Sequence, residues 1–129
     1  MKSINIKKTI LCLSLALLMS LSSITTAHAT TITTDPIGSA GGYTLYVRKS
    51  GGTDVLGTLY FNISSSSKVY STFTASTKCK AIAYVSNKNT GYKASNGGSY
   101  TSLSKGASTT ATKSGSGFTK AWAYCSVQY

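Results

Sequence analysis

Few residues of this chain carry chemistry that could break or make a bond. Past an apolar N-terminal run, the candidates are Cys79 and Cys125, Asp35 and Asp54, and the single histidine, His28; there is no glutamate. Two thiols could be metal ligands, reactive nucleophiles or a structural clasp. Two carboxylates could form a glycosidase pair, but Asp35 falls in TTDPI, a stretch that reads as a leader and is poor support for a catalytic group. Zinc would need both cysteines plus two scattered aspartates. The Ser-x-x-Lys spacings at Ser65–Lys68 and Ser102–Lys105 lack helical context and are expected by chance in a serine-rich chain. The expectation is a binding protein, not an enzyme, with no cofactor and no metal.

His28 is itself expected to be absent from the working protein. Lys2, Lys7 and Lys8 precede the apolar run Thr9–Leu21, and Ala27-His28-Ala29 fits the small-x-small cleavage rule. Residues 1–29 therefore read as a secretory signal peptide and the product as secreted and extracellular, with no transmembrane segment in the mature chain. Removing the signal takes away three of the 13 basic residues and leaves both acidic ones, a formal charge of +8. With no histidine left, Ser–His and Cys–His catalysis are excluded.

The elements that position these residues read as strands. Residues 30–42 suggest a flexible leader with an edge strand as the alternative, and 43–129 a single domain. Runs of β-branched and aromatic residues at Tyr43–Arg48, Val55–Ile63, Lys68–Thr74, Lys78–Ser86, Ala107–Thr112 and Phe118–Gln128 are separated by Gly, Ser and Asn turns. Ser99–Ser104 adds a further short candidate. Without helical periodicity anywhere, the fold class is all-β: a small antiparallel β-sandwich.

Two of these strands nearly repeat each other: KAIAYV at Lys80–Val85 and KAWAYC at Lys120–Cys125. Alternate residues share a face, so Cys79, Ala81, Ala83 and Val85 lie together, as do Ala121, Ala123, Cys125 and Val127. An antiparallel register with Cys79 opposite Cys125 sets Ala81 against Ala123, Ile82 against Trp122, Lys80 against Tyr124 and Tyr84 against Lys120. Directly opposed residues are within disulfide reach, and an exported protein keeps such a bond, so a staple between Cys79 and Cys125 is expected, with a bond crossing between two sheets as the alternative to one joining neighbours. If the cysteine–alanine face is interior, then Lys80, Tyr84, Lys120, Trp122 and Tyr124 form an outward aromatic and basic stripe that suits an amphipathic, anionic partner. The alternative places Ile82 and Trp122 in the core.

KVYSTF at Lys68–Phe73, TKCKAIAYVSNKNTG at Thr77–Gly91, GASTTAT at Gly106–Thr112 and FTKAWAY at Phe118–Tyr124 together resemble the lactococcin 972 family of secreted bacteriocins. The resemblance covers little more than half of the chain beyond residue 29. It implies a cationic, antimicrobial β-sandwich that acts on Gram-positive cells at the cell wall, where the founding member is thought to bind lipid II. Leu59 follows Gly57-Thr58 where the family has a tryptophan. Cys79 stands where a histidine is common, and Cys125 where an aromatic is common, so no residue role carries over. The resulting expectation is a bacteriocin that binds lipid II or another anionic surface glycan or lipid. The alternative is a non-toxic wall-associated adhesin or an inhibitor of a secreted protein. No specific nucleic acid is expected, because the lysines are dispersed and Arg48 is the lone arginine; homodimerisation is left open.

Overall fold

The computed structural model describes residues 28–36, 41–64, 68–87, 91–114 and 121–129. They form nine strands: β1 (Ala29–Thr33), β2 (Gly41–Arg48), β3 (Val55–Ser64), β4 (Lys68–Ala75), β5 (Cys79–Asn87), β6 (Gly91–Ala94), β7 (Thr101–Leu103), β8 (Ser108–Ser114) and β9 (Ala121–Gln128). They make two antiparallel sheets packed face to face, an all-β sandwich. One sheet runs β1-β9-β5-β6, with β7 also on β5; the other runs β2-β3-β4-β8.

The inner faces explain why alanines, not the bulkier Ile82 and Trp122, point inward. Ala81, Ala83, Ala121 and Ala123 are fully buried opposite a sheet that contributes Leu59, Phe61, Val69 and Phe73, also fully buried. Large residues from one sheet fill the volume that small residues on the other leave. Polar contacts also join the layers: the Ser71 hydroxyl on β4 donates to the Tyr84 carbonyl on β5 at 2.8 Å, and the Lys113 ammonium on β8 donates to the Gly91 carbonyl on β6 at 2.7 Å.

Three expectations are corrected. The β5–β9 register pairs Ala83 with Cys125, Ala81 with Val127, Val85 with Ala123 and Tyr84 with Tyr124. That is four residues away from the alignment expected above. An even shift keeps every side chain on its face, but it sets large residues against small ones instead of alanine against alanine. It also stacks the Tyr84 and Tyr124 rings at 4.3 Å and 10°. Cys79 pairs instead with Leu103 of β7. The disulfide staple is accordingly not formed: Cys79 and Cys125 are free thiols, both buried in the core.

The second correction concerns residues 30–42, where the edge-strand alternative replaces the leader at Thr30–Thr33 and β2 already begins at Gly41. Ala29–Thr33 form an edge strand on β9, from Ala29 opposite Gln128 to Thr33 opposite Tyr124. The expected cleavage junction between Ala29 and Thr30 falls inside β1, while residues 1–27 lie outside the described residues. Thr34 prolongs the pairing: its N–H donates to the Ala123 carbonyl at 2.8 Å, and its hydroxyl accepts the Ala123 N–H at 3.0 Å. Third, β6 was not expected; its four residues, GYKA, are too few for alternation to show.

Candidate functional site

The outer face of the β1-β9-β5-β6 sheet can be built row by row from the register. One row holds Thr33, Tyr124, Tyr84 and Ala94; the next holds Thr31, Ser126 and Ile82; the last holds Gln128, Lys80 and Ser102. Above the first row, Trp122 pairs with Ser86, whose other partner is Tyr92. Four of the five stripe residues, Lys80, Tyr84, Trp122 and Tyr124, therefore share this outward face. Lys120 lies outside the described residues.

Ile82 is only 2 % exposed yet is not part of the sandwich core. Tyr100, next before Thr101 of β7, follows on at the register position beside Ile82, and its hydroxyl meets the Ser126 hydroxyl at 2.8 Å. Ser126 is the partner of Ile82 on the far side. The Tyr100 side chain thus crosses the sheet over Ile82 and buries it from outside.

The aromatic cluster centres on Tyr84, which stacks on Tyr124 and meets Tyr92 edge-on at 6.1 Å and 66°. Burial, then the neighbouring phenols of Tyr100 and Tyr92, push the Tyr84 hydroxyl above its usual ionisation range. Burial, then Tyr84 and Tyr92, do the same to Tyr124. Both remain neutral donors at physiological pH. Beside them a cleft of about 460 Å³ is lined by Tyr84, Tyr92, Lys93, Ala94, Gly97 and Gly98. Tyr92 is 66 % exposed and stands on the outer face opposite Ser86, while Lys93, also exposed, lines the cleft from the alternate position opposite Val85. A second cleft, of about 630 Å³, lies where β5 begins and includes Lys78, Lys105 and Ser102. Because Ser102 pairs with Lys80, basic groups continue from that cleft onto the outer face.

One turn shapes the aromatic cleft. On the far side of β5 from β9, β6 ends opposite Tyr84 and β7 begins opposite Ala81, which leaves the backbone between them without a strand. Ser95 closes the gap: its hydroxyl accepts the Ala83 N–H at 3.0 Å, and Ser95 is 2 % exposed. The chain then reverses through Asn96 and Gly97, both with left-handed dihedrals (φ 46° and 62°). Such a conformation suits asparagine and glycine. Ser95→Ala is expected to cost about 1–3 kcal/mol, because it leaves a buried amide unpaired. Urea denaturation reads the loss, and a change below about 0.5 kcal/mol would refute this role for Ser95.

The carboxylates are not brought into this region as a pair. Asp54 forms an ion pair with Lys49 at 3.1 Å next to the β2–β3 hairpin, and Asp35 is exposed just after β1. The sequence reading missed Tyr92, Lys93 and Ser95. Tyr92 and Lys93 belong to a strand too short to show a pattern, and a serine among many serines carries no signal of its own. Among the described residues, no group of three or more His, Cys, Asp or Glu could hold a metal ion, and no helix is long and apolar enough to cross a membrane. Comparison with protein-family models, with curated proteins and with solved structures finds no match to this chain.

Proposed function

We propose that the protein is a secreted antibacterial agent that binds an anionic component of the Gram-positive cell envelope through the outer face of the β1-β9-β5-β6 sheet. The observation that carries this reading is the Tyr84–Tyr124–Tyr92 cluster, continued by Trp122 and Lys80 on one outward surface, with Lys93 lining the cleft at its edge. Aromatic faces take up the apolar side of a sugar or lipid, and the ammonium groups meet phosphate. The ten basic residues beyond residue 29, against two acidic ones, steer an anion toward it over about 8 Å at physiological salt. The resemblance of Lys68–Tyr124 to the lactococcin 972 family points the same way. A lipid-linked wall precursor such as lipid II joins a pyrophosphate to a disaccharide and a lipid, which matches the mixed character of this surface.

Growth inhibition by the purified protein across a Gram-positive panel, with binding to micelles of lipid-linked wall precursor, tests the reading. Tyr92→Ala and Lys93→Ala change exposed side chains and should each weaken micelle binding about tenfold while leaving the fold intact. Absence of both inhibition and binding would overturn the proposal. Binding without inhibition would identify a wall-associated, non-toxic module instead.

A further inference from the structure

The opposite side of the sandwich has a different chemistry. The central row of the β2-β3-β4-β8 sheet is Thr44, Tyr60, Thr72 and Thr110, and the rows on either side are led by Tyr46 and contain Tyr70. Read through the register, these three rows make 12 outward positions. None is charged, ten end in a hydroxyl, and the other two are Asn62 and Gly42. Ten basic residues lie beyond residue 29, and none of them occupies any of these 12 positions. Among the described residues, charge appears on this face only at the border, where Arg48 lies 5.8 Å over the Tyr46 ring and Lys68 opens β4.

This departs from an ordinary solvated sheet face. Outward strand positions commonly carry charges that keep sheets soluble and unpaired. Here the hydroxyls are organised across strands: Thr72 with Thr110 and Thr74 with Ser108, each at 2.8 Å. Each such pair fixes one hydroxyl proton between two oxygens and leaves the remaining donor and lone pairs facing out. Tyr60 and Tyr70 stand 5.9 Å apart with their rings tilted by 50°, and the Asn62 amide donates to the Tyr60 hydroxyl at 3.0 Å. Tyr46 is 62 % exposed and Tyr60 39 %.

We infer that this face binds an uncharged polysaccharide chain. Sugar rings present flat C–H patches edged by hydroxyls, which match tyrosine rings set among fixed hydroxyl donors and acceptors. A surface without charge selects against the phosphate and carboxylate polymers that the lysines elsewhere attract, because it offers them no counter-ion. Strands at about 4.8 Å spacing and rows about 7 Å apart give a flat bed several sugar units long. The inference is independent of the proposal for the other sheet, whose residues it does not use.

Affinity electrophoresis and pull-down of the purified protein with neutral glycans (cellulose, chitin, β-glucan and mannan) at 1 M NaCl provide the test. At that salt the Debye length is about 3 Å and attraction by charge is suppressed. Retention on at least one neutral glycan is expected. It should weaken about tenfold in Tyr60→Ala and in Thr110→Lys, with both variants keeping the wild-type circular dichroism spectrum, and be unchanged in Asp35→Asn, a change at an exposed position after β1. Thr110 is exposed, so a lysine there adds charge without entering the core. Retention on no neutral glycan, or retention untouched by both face variants, would overturn the inference. So would self-association in sedimentation that Thr110→Lys abolishes and no glycan affects, since the face would then belong to a second copy of the chain.

Discussion

Gly57→Ala is expected to remove about 3 kcal/mol of stability, at the upper end of what overpacking a core costs. Gly57 pairs with Val47 on one side and with Ala75 on the other, in the middle of its sheet. A methyl group there would sit 2.3 Å from the Thr74 carbonyl oxygen and 2.5 Å from the Phe73 ring. Neither neighbour can yield easily: the first is the backbone of a central strand, and the second is a fully buried ring. The missing side chain also allows the local irregularity of β3. Val47 pairs with Gly57 but Arg48 pairs with Val55, so Leu56 is the extra residue of a bulge. Leu56 is fully buried, on the same strand from which Leu59, Phe61 and Ile63 also point inward. Thermal unfolding should fall by roughly 15 °C, given about 4–8 °C per kcal/mol for a domain of this size. Gly52→Ala is the matched control. A Cβ there meets only Lys49 at 3.8 Å or more, and its effect should stay within about 0.5 kcal/mol. Equal effects for the two variants would remove the steric explanation.

Gly57 also shows where sequence reading stops. As one residue, it looks like a weak point in a strand; its necessity comes from Phe73 on the neighbouring strand. The same division runs through the fold. Alternation along β5 and β9 correctly separates the cysteine–alanine face from the lysine–aromatic face, because period-two sorting is local to each strand. The register is not local. Sliding one strand by four residues leaves every face unchanged, so only volumes decide between the two alignments. Pairing Ala81 with Val127 and Ala83 with Cys125 fills space that alanine opposite alanine would leave empty. That slide separates Cys79 from Cys125.

The binding surfaces divide in the same way. Tyr84, Trp122 and Tyr124 are legible as one set from alternation alone, but that the set faces outward comes from the large residues of the opposite sheet, which fill the space over the alanines. Tyr92, Lys93 and Ser95 join the cleft only through β6 and the turn after it. The hydroxyl face is hidden more deeply. Its polar residues occur at every second position of β3, β4 and β8, a pattern shared by any solvated sheet. Its lack of charge emerges only when neighbouring strands are set side by side.

The freed thiols yield the second large effect, a loss of stability in alkali centred on Cys125. Burial holds the Cys125 thiol well above its ordinary value of 9.0, up to about 12; a backbone hydrogen bond at Ile32 pulls it partly back, and Cys79 adds to the rise. Cys79 is pushed up as well, by burial. Below pH 9 both the folded and the unfolded chain keep the Cys125 proton, and stability does not depend on it. Between about 9 and 12 the unfolded chain releases that proton while the folded one holds it, so stability falls with rising pH by about 1.4 kcal/mol per unit. By pH 11 the loss is about 3 kcal/mol, and above pH 12 the slope disappears. Cys125→Ala should abolish this component. Other groups, Tyr84 and Tyr124 among them, titrate in wild type and variant alike, so the difference between the two isolates the thiol. Truncation of a buried side chain adds an offset that is the same at every pH. Urea unfolding at pH 8 and pH 11 reads both quantities: the gap between wild type and Cys125→Ala should narrow by about 3 kcal/mol at the higher pH. A gap that stays constant would mean that the thiol ionises freely in the folded state and that the interior around Ala83 and Ile32 is open to water.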